Sequence, residues 1–205
     1  MIHTWRNIVD FIFPPSPSMV LLRQYKNVPI TDTYSELCVH DTITLSRYHD
    51  PLIHACVTAG KFENNLEALK RLSPLLVMYL ERHNIPLATT VCIPIPLHPT
   101  RERERGYNQI VEILKPLQKS HRLYVVPLLK RTRATKVQSH QNRADRLTNV
   151  VGAFVYHPLP LNRTPTHILI IDDVITTGST LQSARAALAP HLPQGATLIT
   201  IAFAH

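Results

Sequence analysis

Apolar and polar residues change their spacing several times along this chain, and each change marks an element. Across residues 61–83, Phe62, Leu66, Leu69, Leu76 and Tyr79 or Leu80 recur at three- and four-residue intervals, which predicts an amphipathic helix. Ser73-Pro74 inside it is either a kink or the cap and first residue of a second helix. Residues 88–95 form a continuous apolar run rich in β-branched side chains and predict a buried strand, and 108–117 return to helical spacing. Residues 123–129 and 152–156 predict further strands, with a short polar helix at 140–147 between them. The clearest unit follows: strand 167–171, a polar turn, helix 179–188, strand 196–202. Strands alternating with helices imply parallel strands joined by crossovers, so the expected class is α/β, a mainly parallel sheet flanked by helices. Residues 1–60 show no sustained period and are read as an irregular N-terminal subdomain on a core spanning 61–205.

Composition narrows this picture. A chain of 205 residues, 44% apolar, can bury one main core with an appendage. Near the amino terminus Trp5, Ile8, Val9, Phe11, Ile12 and Phe13 are spaced like one face of a short helix, but Asp10 and Pro14-Pro15 interrupt them. The stretch is too short and broken for a signal peptide or a membrane span, so packing onto the body of the protein is expected, without membrane association. Cys38, Cys56 and Cys92 form no CxxC pair, which argues against a disulfide framework or zinc site and for a reducing, cytoplasmic location. The twelve histidines form no metal-binding pattern. Lys and Arg outnumber Asp and Glu by 22 to 14, a net charge of +8, which suits polyanionic ligands or is simply a solvated basic surface.

Candidate chemistry concentrates after strand 167–171. Asp172 and Asp173 lie at the strand's carboxyl end, where open α/β sheets bind ligands. Thr176, Thr177, Gly178, Ser179 and Thr180 then form a hydroxyl-rich turn opening a helix, whose N–H groups and hydroxyls can hold a phosphate. Two carboxylates beside a phosphate loop suit a ribose 5-phosphate; the plain alternative is an acid pair that only caps a helix. Arg101 and Arg103, alternating with Glu102 and Glu104, read as a solvated charged turn, while Arg105 beside Gly106 is better placed to approach a ligand. Lys130, Arg131 and Arg133 lie beyond a strand end, either as cations over a leaving pyrophosphate or as an exposed basic loop.

Residues 168–180, Ile-Leu-Ile-Ile-Asp-Asp-Val-Ile-Thr-Thr-Gly-Ser-Thr, resemble the 5-phosphoribosyl 1-pyrophosphate (PRPP) signature of type I phosphoribosyltransferases. Ile93-Pro94-Ile95-Pro96, Arg105-Gly106-Tyr107-Asn108-Gln109 and the stretch holding Leu129, Lys130, Arg131, Thr135, Gln138, Arg146, Asn149 and Gly152-Ala153-Phe154 are similar to the ComF family within that class. The resemblance covers the chain from about Tyr48 onward. It implies a type I phosphoribosyltransferase fold with a small N-terminal hood. It also implies PRPP held with Mg²⁺, the ribose by Asp172 and Asp173, the 5-phosphate by the loop from Thr176 to Thr180, and the pyrophosphate beside Arg105, Lys130 and Arg131. The phosphoribosyl group would then pass to an unidentified acceptor as pyrophosphate leaves. The alternatives are a non-catalytic PRPP or nucleotide sensor and a single-stranded-DNA-binding accessory in DNA uptake, working with competence-machinery proteins. ComF proteins commonly carry a cysteine zinc ribbon after a Phe-Pro-Pro opening; here Phe13-Pro14-Pro15 is followed by Ser16-Pro17-Ser18, so the ribbon is expected to be missing.

Overall fold

The structure, a computed structural model, describes residues 14–132 and 152–205. Its strands are β1 (Leu37–Val39), β2 (Thr42–Thr44), β3 (Thr90–Pro94), β4 (Tyr124–Val125), β5 (Leu129–Arg131), β6 (Phe154–Tyr156), β7 (His167–Val174) and β8 (Thr197–Ala204). Its helices are α1 (Pro17–Gln24), α2 (Pro51–Phe62), α3 (Leu66–Lys70), α4 (Ser73–Arg82), α5 (Pro99–Arg105), α6 (Gln109–Ser120) and α7 (Ser179–Leu188). Six strands form one sheet in the order β1-β2-β8-β7-β3-β4, parallel throughout except for the β1–β2 hairpin. β5 and β6 form a separate antiparallel ribbon.

The central strand shows why the sheet is covered on both sides. Leu169 and Ile171 of β7 enter one cluster, with Leu52, Leu76 and Ile113 from α2, α4 and α6. Ile168 and Ile170 point the other way, against Leu181, Ala184 and Leu188 of α7 and Phe154 of β6. All four β7 residues are buried, each contributing about 2 kcal/mol on transfer from water. Successive side chains on a strand face opposite sides, so an uninterrupted apolar run demands two covers.

The helix expected over 61–83 is three helices. Asn64 has φ 55°, which ends α2 and resets the register, and Phe62 is left 77% exposed. Asn65 caps α3 by accepting from the Ala68 N–H at 3.0 Å. Ser73-Pro74 starts a new helix, with Pro74 in its first turn. Part of the segment read as an irregular hood supplies the sheet's edge: β2 lies parallel to β8, pairing Ile43 with Ile201 and Thr44 with Ala202. That segment also supplies α2, capped by Asp50, whose Oδ1 accepts from the Leu52 and Ile53 N–H groups. Ser16 and Pro17, in the stretch that lacks cysteines, are the cap and first residue of α1. The short helix expected at 140–147, the apolar face formed by Trp5 to Phe13, and Arg133, Thr135, Gln138, Arg146 and Asn149 lie outside the described residues. Among the described residues no helix is long and apolar enough to cross a membrane.

Candidate functional site

β7 carries Asp172 and Asp173 close to the end of its pairing, Asp172 opposite Ala202 of β8. Side-chain alternation sends the two acids to different surroundings. Asp173 is 5% exposed, and both of its oxygens are engaged. Its Oδ1 accepts from the Val174 N–H at 2.7 Å. Its Oδ2 meets the Lys61 ammonium at 2.8 Å and accepts from Gln109 Nε2 at 2.9 Å. A buried carboxylate stays charged only with such partners. Gln109 in turn accepts from Arg105 Nη1 at 2.7 Å through its Oε1.

Asp172 is only partly buried and, among the described residues, accepts one hydrogen bond, from the Asp173 N–H at 2.9 Å. Desolvation, with repulsion from Asp173, pushes its carboxyl up to about 7, against the opposing pull of that backbone N–H, Lys61 and Arg131. Arg131 lies on β5 with its guanidinium 5.4 Å from the centre of the Phe154 ring. Burial lowers its pKa, the nearby Asp172 raises it and Arg101 lowers it further.

The loop after β7 turns at Gly178, with φ 75°, a left-handed conformation that disfavours any side chain. A Cβ there would also lie 2.8 Å from Cβ of His40, in the β1–β2 turn, so this glycine meets both a conformational and a steric demand. Thr177 Oγ1 and Ser179 Oγ are 2.9 Å apart. The N–H groups of Thr176, Thr177, Gly178, Ser179 and Thr180 have no acceptor among the described residues, those of Gly178, Ser179 and Thr180 because they stand at the start of α7.

The sequence-predicted residues therefore divide. Asp172, Arg131 and the loop from Thr176 to Thr180 surround the carboxyl end of β7. Arg105 reaches the site through Gln109. Gly106 ends α5 with φ 79°, a left-handed conformation that favours glycine at the helix end, and a side chain at that position would meet nothing within 4 Å. Lys130 is exposed and alternates with Arg131, which turns it to the other face of the ribbon. Arg133 lies outside the described residues. Lys61 and His40 were not foreseen: each comes from a segment distant in the chain, and a single Lys at the end of an apolar helix carries no signal of its partner. Gln109 belonged to a recognised pattern but had no expected role. Asn108 explains the pattern's order, since its Oδ1 caps α6 at Ile110 N–H while its Nδ2 donates to Ile95 O at 2.8 Å, holding the helix start against the end of β3.

No protein-family model matches the chain. Among curated proteins it is 33% identical over 151 residues to competence protein F of Haemophilus influenzae, covering 68% of this chain and 62% of that protein. It is 35% identical over 135 residues to DNA utilization protein YhgH of Shigella flexneri, 64% of this chain and 56% of the relative. Competence protein ComFC of Streptococcus pneumoniae is 31% identical over 96 residues, 47% of this chain and 40% of the relative. The chain thus spans about three fifths of the length of the first two relatives. With the relatives named and the strand-end motif in place, the chain belongs to the ComF family.

Proposed function

We propose that this protein binds PRPP at the carboxyl end of β7 and transfers its phosphoribosyl group to an acceptor during DNA uptake or utilization. The supporting observation is that the end of β7 brings together the partly buried Asp172 carboxylate, the nearby Arg131 guanidinium, and the loop from Thr176 to Thr180, whose five N–H groups have no acceptor among the described residues. In this reading the loop amides and hydroxyls hold the 5-phosphate, Asp172 accepts from the ribose hydroxyls, and Arg131 faces the pyrophosphate. The bond from C1 to the pyrophosphate oxygen breaks, the pyrophosphate leaves with the electron pair, and a nucleophilic acceptor atom takes its place. Mg²⁺ would offset the charge of the departing pyrophosphate. Among the described residues no three His, Cys, Asp or Glu gather into a metal cage, and Mg²⁺ characteristically binds through phosphates and water with one or two carboxylates, which this site offers.

The names of the relatives, competence and DNA utilization proteins, carry the link to DNA. A second reading is a PRPP-binding module without turnover. Thermal unfolding with PRPP and Mg²⁺ tests the shared step, because a ligand bound only to the folded state raises the midpoint. No shift at millimolar PRPP removes both readings. Pyrophosphate release across nucleobases, amines and single-stranded DNA separates them, since only the transferase releases it.

A further inference from the structure

We infer that Lys61 is a positioning residue of this site, which locks Asp173 inside the fold and leaves Asp172 as the carboxylate that meets the ligand. This rests on the PRPP reading and divides labour within the acid pair, to which the signature resemblance gives one shared role. Asp173 has most of its acceptor sites engaged and almost no exposed surface left for a ribose hydroxyl. Val174 N–H occupies Oδ1, while Lys61 and Gln109 converge on Oδ2, at 2.8 and 2.9 Å, with the carboxylate side chain 7% exposed. Lys61 enters from the last turn of α2, and Gln109, steadied by Arg105, from the first turn of α6. The three side chains bridge two helices to the end of the central strand.

The consequence for Asp172 is geometric. Its Oδ1 is tied to the Asp173 N–H, so whatever fixes the Asp173 backbone fixes the neighbouring carboxylate. Lys61 is 22% exposed along its side chain, with its ammonium turned to Asp173. Removing that ammonium leaves a buried carboxylate with amide donors only and lets the strand end shift. At metal centres, groups that orient a ligating side chain from behind typically change affinity by about 10–100-fold when mutated, and the same logic applies to a carboxylate held for a ligand.

The test is calorimetric titration of PRPP with Mg²⁺ into the wild-type protein and the Lys61→Met, Lys61→Arg and Asp172→Asn variants. Inorganic phosphate, followed by its thermal protection, serves as a separate probe of the loop. Lys61→Met is expected to lose about tenfold in PRPP affinity and keep its protection by inorganic phosphate, and Lys61→Arg to retain most of the affinity. Wild-type PRPP affinity in Lys61→Met overturns the inference while leaving the PRPP reading intact, provided Asp172→Asn is impaired. Loss of phosphate protection along with PRPP binding in both Lys61 variants also overturns it, showing a general structural role. Absence of PRPP binding by the wild-type protein overturns the inference and the reading together.

Discussion

Asp172 illustrates a conflict between stability and binding at a single residue. Desolvation and the adjacent Asp173 raise its pKa to about 7, so its ionised form is held at a cost in the unliganded protein. A carboxyl raised on folding costs nothing below its unfolded pKa; the cost grows as pH rises and is complete above the folded value. Asp172→Asn is therefore expected to stabilise the unliganded protein by an amount that increases between about pH 4 and pH 7 and then levels off. Chemical denaturation across that range measures it. The same change removes an anionic acceptor and should weaken PRPP binding by about 1.5–3 kcal/mol, read by calorimetry. A variant less stable at pH 8 than the wild type would place Asp172 in the structure rather than the site. At this scale the acid pair was legible from its place after an apolar run, but its division was not: only the partners from α2 and α6 distinguish Asp173 from Asp172.

Between elements, the contact of the β1–β2 turn with the loop after β7 has the clearest consequence. His40 and Asp41, both at positive φ, form this turn, and Thr200 Oγ1 donates to Asp41 O at 2.8 Å, tying it to β8. Gly178→Ala meets the His40 Cβ at 2.8 Å and adopts a left-handed φ, itself costing about 1–2 kcal/mol. It should lose the PRPP-dependent rise in thermal midpoint. His40→Gly should restore part of the stability lost by Gly178→Ala, because only the steric share of the cost depends on His40. Additive effects in the double-mutant cycle would show that the two positions do not touch. The helix Ser179–Leu188 and the flanking strands were readable because their apolar spacing is strong and their ends carry turn residues. β1 and β2 were not readable: three residues each carry too little pattern, and their pairing with β8 is decided across the chain. The break at Asn64 was hidden because apolar spacing continues on both sides of it.

For the whole molecule, the net charge of +8 bears on partners rather than fold. Binding to single-stranded DNA is expected to be weak and to fall as salt rises, since Lys and Arg release counterions from phosphates. A fluorescence titration at several salt concentrations checks this, and binding insensitive to salt, or absent at low salt, counts against it. The sequence by itself determined the α/β alternation, the two-faced central strand and the loop with its glycine, because these follow from local spacing and backbone preference. Only the tertiary structure decided which charges meet. It brought Lys61 and Gln109 to Asp173, Arg131 toward Asp172 and His40 against Gly178. Such pairings join segments far apart in the chain, and their energies depend on burial and distance, which no local pattern of residues encodes.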